Sequence, residues 1–323
     1  MTAANEPSAT LSNLLREVRR FDPPAELAAR ANVTASAYAE AAADRLAFWE
    51  DKARRLTWAK EWDTALEWNR PFAKWFVGGK LNVAYNCVDR HVEDGHGEQV
   101  AIHWEGEPGD TRTLTYDDLH RWVCKAANAL TELGVRAGDR VMIYLPMIPE
   151  AVVAMLACAR LGAPHSVVFG GFSAESLRNR IDDARATVVI TADGGYRRGK
   201  PSALKPTVDE AVEATGIEKV LVVRRTGQEV AFTDGRDVWW HELVDRQPDQ
   251  HACEPFDAEQ PLFILYTSGT TARPKGILHT SGGYLTQASY THHAVFDHKP
   301  GEDVYWCTAD VGWVTGHSYI VYG

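Results

Sequence analysis

Between Tyr266 and Gly276 the sequence reads YTSGTTARPKG. The hydroxyl side chains Thr267, Ser268, Thr270 and Thr271, the glycines Gly269 and Gly276, and Lys275 crowd one short segment. Such a segment exposes backbone N–H groups and hydroxyl donors, and its glycines permit turns that β-branched residues resist. Lys275 adds a positive point charge. The chemistry that wants all three together is the binding of a polyphosphate tail. A solvated Ser/Thr/Gly turn is the plainer alternative. It loses ground because the segment follows directly on an apolar strand, LFILY (262–266), and carries its Lys behind a proline. A Walker A loop does not fit. Counted from Gly269, the second Gly of G-x-x-x-x-G-K-[ST] would fall on Pro274 and the hydroxyl after Lys on Gly276.

Composition narrows the classes this segment can serve. The chain has 323 residues with 34 Lys+Arg against 44 Asp+Glu, a formal net charge of −10. An acidic excess lacks the electrostatic footprint of a nucleic-acid binder. No uncharged apolar run approaches the ~18 residues that span a bilayer. Neither nucleic acid nor membrane is therefore expected as a partner, and oligomeric state is not readable. Cys87, Cys124, Cys158, Cys253 and Cys307 are scattered without a CxxC pair, which reads as free thiols in a reducing compartment. No metal-ligand spacing appears. His279, His292, His293 and His317 read as packing residues, since adjacent His292 and His293 point apart on a helix. The N-terminus lacks the apolar core of a secretory signal, so the expected location is cytoplasmic.

The elements that must position the segment are also legible. Residues 1–35 read as a loosely ordered lead-in. A helical stripe of Tyr38, Ala42, Leu46 and Trp49 opens an N-terminal cap over residues 36–95, expected to be Trp-rich and mainly helical. Trp49, Trp58, Trp62, Trp68 and Trp75 read as amphipathic anchors that dock it onto a larger body. From residue 96 the pattern alternates. Val100–Trp104 predicts a strand, and Thr113–Leu114 leads into a helix with Thr115 and Asp118 at capping-box spacing. RVMIYL (140–145), 166–169, TVVIT (187–191) and KVLVV (219–223) predict buried strands between helices, one of them capped by Pro206, Thr207 and Glu210. Such strand–helix–strand repeats mean an α/β fold with mostly parallel sheets and flanking helices. Residues 224–260 read as polar loop, dividing a first subdomain (96–255) from the start of a second (256–323).

TSGTTARPKG resembles the phosphate loop of the adenylate-forming enzymes: hydroxyl residues and Gly, then Pro-Lys-Gly. It departs at Ala272, where that family usually carries Gly; a positive φ there would cost Ala about 1 kcal/mol. Residues 279–323, and the Trp-rich lead-in followed by LNVAYNCVDRHV (81–92), are similar to the acetyl-CoA synthetase branch. The resemblance covers nearly everything from about residue 35 onward. It implies ligation of acetate to coenzyme A (CoA): acetate attacks the α-phosphorus of ATP, giving acetyl-AMP and pyrophosphate, and the CoA thiol then displaces AMP. It further implies that Ser268, Gly269, Thr270, Thr271, Lys275 and Gly276 grip the ATP phosphates. Trp313, Val314 and Thr315 would wall the acyl pocket, with Thr315 also near the CoA pantetheine. Phe169, Gly170 and Gly171 would lie against the CoA adenine, and Arg197 and Lys200 would approach the CoA phosphates. Lys200 stands at an Arg position of the family, which keeps the charge and loses the planar fork; Arg198 lies beside it.

The sequence stops at Gly323, directly after YIVYG. The resemblance implies that the acidic motif tied to Mg²⁺, the adenine- and ribose-holding residues and a mobile domain with the catalytic Lys all lie further along. The expectation is an N-terminal fragment, inactive alone. A sister synthetase for propionate and a non-catalytic nucleotide- or CoA-binding module stay open as alternatives.

Overall fold

The computed structural model describes residues 19–267 and 274–323. Its N-terminal part builds two antiparallel hairpins, β1 (Thr64–Asn69) with β2 (Phe72–Val77) and β4 (Val100–Glu105) with β5 (Thr111–Thr115); the short β3 (Lys80–Leu81) lies between them. Then come β6 (Val141–Tyr144), β7 (His165–Val167) and β8 (Val188–Ala192). A separate hairpin of β9 (Gly194–Arg197) and β10 (Lys200–Ala203) follows, then β11 (Lys219–Val223) and β12 (Asp237–Trp239). After β13 (Phe256–Asp257), paired with β3, the chain forms β14 (Pro261–Thr267) and β15 (Lys275–Thr280).

Seven strands make the main sheet, in the order β12-β11-β8-β6-β7-β14-β15. Every neighbouring pair is parallel except β14 with β15. β6 and β8 are buried at every residue, as the apolar runs VMIY and VVITA require of strands covered on both faces. The helix Tyr116–Glu132 starts at a complete Thr115–Asp118 capping box. It packs on helix Pro149–Leu161, and helix Ala174–Ala184 packs on helix Lys205–Val212. The sheet runs unbroken across residue 255, because β14 pairs with β7.

Several local expectations need correction. The stripe from Tyr38 to Trp49 is two helices, Ser36–Ala43 and Arg45–Ala53, because the Asp44 carboxylate accepts from the Leu46 and Ala47 N–H groups and restarts the chain. The cap that follows holds the β1–β2 hairpin as well as helix. Trp58, Trp62 and Trp75 pack against the core, whereas Trp68 is 59% exposed. Within the expected lead-in, Ala25–Arg30 is helical, and Asn32 bonds Asp297 and the carbonyls of His293 and His298. The polar stretch 224–260 contains β12, whose Asp237 is buried in an ion pair with Lys205 at 2.7 Å. The helix expected to be capped near Thr207 begins at Lys205 without a side-chain cap.

Candidate functional site

Parallel strands end on one edge. β6, β7, β8 and β11 therefore bring their following loops together at the edge where β14 also ends, and the order reverses at β6, with β7 on one side and β8 on the other. Crevices at such reversal points are where open α/β sheets hold ligands. Residues 145–147 leave β6, Phe169–Phe172 follow β7, and the β9–β10 hairpin follows β8. Thr267 closes β14 directly opposite Lys275, the first residue of β15. The candidate residues on these loops thus share one edge of the sheet.

The turn after β7 is held from inside. The buried Tyr144 hydroxyl donates to the Phe172 carbonyl at 2.8 Å and lies 3.1 Å from the Gly170 carbonyl. Gly171 is needed for close packing: a Cβ there would stand 2.5 Å from the Phe169 ring and 3.2 Å from an Arg197 guanidinium nitrogen. The Phe169 ring packs on Trp313 with centroids 5.0 Å apart. Candidate adenine-contact, phosphate-contact and pocket-wall residues therefore meet around one turn.

Arg197 and Lys200 face each other across the β9–β10 hairpin, flanking Arg198 (φ 53°) and Gly199 (φ 73°). Positive φ at both central residues is the demand of a tight two-residue hairpin turn, which Gly meets without strain. Arg197, Arg198 and Lys200 are all exposed. The base of the hairpin is clamped by buried Asp193, whose carboxylate accepts from the N–H groups of Gly194 (2.7 Å), Arg225 (2.8 Å), Thr226 (3.0 Å) and Gly227 (2.7 Å).

Trp313, Val314 and Thr315 are exposed at the start of the short helix Val314–Gly316, with Trp313 at 49%. Two hydrogen bonds fix that segment. The Val311 N–H donates to the Met147 sulfur at 3.4 Å, and the Asp310 carboxylate accepts from the Gly312 N–H at 2.7 Å. Burial pushes the Asp310 carboxyl up from its ordinary value. His317, directly after helix Val314–Gly316, is fully buried, which drives its imidazole down to about 4.

Of the phosphate-loop candidates, Ser268, Gly269, Thr270, Thr271 and Ala272 lie outside the described residues. Lys275 is exposed and Gly276 pairs with Tyr266. Tyr266 ties this strand end to the turn after β7. Its hydroxyl donates to Asp183 at 2.7 Å, and the Arg180 guanidinium sits 5.2 Å from the Tyr266 ring and 5.0 Å from the Phe172 ring. Tyr144, Met147, Arg180, Asp193 and Asp310 went unnoticed in the sequence. Only Asp193 left a signal, a carboxylate immediately beyond a buried strand. Among the described residues no cluster of His, Cys, Asp and Glu suits a metal ion, and no helix is long and apolar enough to cross a membrane.

Comparison with known proteins gives two matches to family profiles. The profile described as AMP-binding enzyme matches residues 88–323, and that described as acetyl-coenzyme A synthetase N-terminus matches residues 34–87. Among curated relatives, the acetyl-coenzyme A synthetase of Streptomyces avermitilis is 74% identical over 97% of this chain and 48% of its own length. That of Mycobacterium bovis is 65% identical over 94% of this chain and 47% of its own, and that of Deinococcus radiodurans 54% over 98% and 50%. The chain spans about half the length of these relatives.

Proposed function

From the premise that the chain belongs to the AMP-binding enzyme family, we propose that it forms part of an AMP-forming acetate–CoA ligase. In this reading ATP, acetate and CoA are the substrates. An acetate oxygen attacks the α-phosphorus, pyrophosphate leaves, and the CoA thiol then displaces AMP from the acyl carbon. Three relatives named acetyl-coenzyme A synthetase, 54–74% identical to this chain, support the substrate assignment. The observation that carries it is the meeting of Phe169, Gly171, Arg197 and Trp313 at the reversal point of the sheet.

The roles follow from chemistry. Ser268, Gly269, Thr270, Thr271, Lys275 and Gly276 would hold the ATP phosphates, and Lys275 would offset charge building on the departing pyrophosphate. Trp313 and Val314 would wall the acyl group, the indole leaving room for a methyl and blocking longer chains. Phe169, Gly170 and Gly171 would receive the CoA adenine, with Arg197 and Lys200 on its phosphates and Thr315 beside its pantetheine. ATP would carry Mg²⁺ as its usual counterion. The described side chains supply no ligand set for that metal.

The test is a product assay on the protein its gene encodes, supplied with acetate, ATP and CoA. Stoichiometric acetyl-CoA, AMP and pyrophosphate are expected. ADP and phosphate in their place would overturn the AMP-forming reaction, and a kcat/KM for propionate above that for acetate would overturn the acetate assignment.

A further inference from the structure

The β9–β10 hairpin that carries Arg197 and Lys200 stands apart from the main sheet as a two-stranded unit. An isolated hairpin of this size is marginally stable in water. Its cationic tip also repels itself. Something outside the hairpin must therefore hold it, and the loop between β4 and β5 does so at two points, through Arg225 at the base and directly at the tip. At the base, Asp110 forms a bidentate pair with Arg225 at 2.7 and 2.9 Å. The Arg225 guanidinium in turn lies 4.8 Å from the Tyr196 ring of β9 and 5.0 Å from the Trp104 ring of β4. At the tip, the Gly199 N–H donates to the carboxylate of Glu107. Among the described residues, Arg197, Arg198 and Lys200 form no ion pair, so their charges stay available to a ligand.

We propose that Glu107 is a positioning residue for CoA: by tethering the turn between Arg197 and Lys200, it aims an unpaired pair of cations at the CoA phosphates. The inference rests on the reading of this hairpin as the CoA phosphate contact. Two effects of Glu107 oppose each other. Its carboxylate orders the tip as an acceptor, and its negative charge lowers the local positive potential. Glu107→Gln keeps an acceptor oxygen and removes the charge; Glu107→Ala removes both. Glu107 is exposed, so neither change threatens the core.

The experiment is calorimetric titration of the gene-encoded protein with CoA, and separately with ATP, for the unaltered protein, Glu107→Ala, Glu107→Gln and an Arg197→Ala/Lys200→Ala double variant. Glu107→Ala should weaken CoA binding about three- to tenfold, the scale of one exposed charge-assisted hydrogen bond. Glu107→Gln should bind CoA as well as the unaltered chain or better, and ATP affinity should be the same in all four. Unchanged or tighter CoA binding by Glu107→Ala, equal losses in the Ala and Gln variants, or a parallel loss of ATP affinity would each overturn the tether. Should CoA affinity depend on Arg197 and Lys200 but not on Glu107, only the tether falls. Should CoA fail to bind, or bind regardless of Arg197 and Lys200, the hairpin reading falls and takes the tether with it.

Discussion

The rings of Phe169 and Trp313 pack with centroids 5.0 Å apart and planes inclined by 57°. This contact joins the turn after β7 to the segment that precedes helix Val314–Gly316. It brings the proposed adenine contact and the proposed acyl wall together as one pair of side chains. If Trp313 limits the acyl chain, Trp313→Gly should raise kcat/KM for butyrate relative to acetate at least roughly tenfold, since each methylene a pocket accepts is worth about 1–3 kcal/mol. An unchanged preference would remove Trp313 from the wall.

Tyr144 acts on the same turn from beneath. Losing its hydroxyl in Tyr144→Phe leaves the Phe172 and Gly170 carbonyls without that donor. Stability should fall by about 1–2 kcal/mol in denaturant titration, and CoA affinity should fall with it. A variant of equal stability and equal CoA affinity would show that the turn holds its shape without Tyr144.

Lys275 is exposed at the head of β15, so Lys275→Ala should leave the free energy of unfolding within about 0.5 kcal/mol of the unaltered protein. ATP binding should nevertheless weaken at least roughly tenfold, as expected for a charge-assisted contact to phosphate. Equal ATP affinity in calorimetry would exclude Lys275 from the phosphate grip.

Helix Tyr116–Glu132 carries a pH-sensitive pair through His120. Asp89 holds buried Arg160 in a bidentate pair at 2.7 and 2.9 Å and meets His120 Nε2 at 3.3 Å. The bond to Asp89 lifts His120 from its ordinary 6.5 to about 9. Folding thus favours the imidazolium. The resulting stability is fully present below pH 6.5 and is lost as pH rises through about 9. Tm should decline across that window, and the His120→Asn profile should be flatter there. Parallel profiles would contradict the pairing.

What the sequence disclosed and what it hid divide along physical lines. Buried parallel strands announce themselves as unbroken apolar runs, so β6, β8 and β11 were legible, as was the Thr115–Asp118 cap. β12 was not: three residues, one of them a charged Asp237 neutralised by a distant Lys205, carry no periodicity. At the site, the Gly-rich turn after β7 and the Arg197–Lys200 pair were visible as residue types. Two of their supports, Tyr144 and Arg180, were invisible, because they act through contacts the fold alone creates. Glu107 is an exposed acidic residue like many others until the hairpin meets it.

The most direct measurement follows one atom. If acetate attacks the α-phosphorus, acetate labelled with oxygen-18 in both carboxylate oxygens must leave one labelled oxygen on the phosphate of every AMP released, with none in pyrophosphate. Mass spectrometry of the products of the gene-encoded protein should show AMP carrying that single label. Unlabelled AMP, or label in pyrophosphate or inorganic phosphate, would contradict the acyl-adenylate route that Phe169, Arg197, Lys275 and Trp313 are argued to serve.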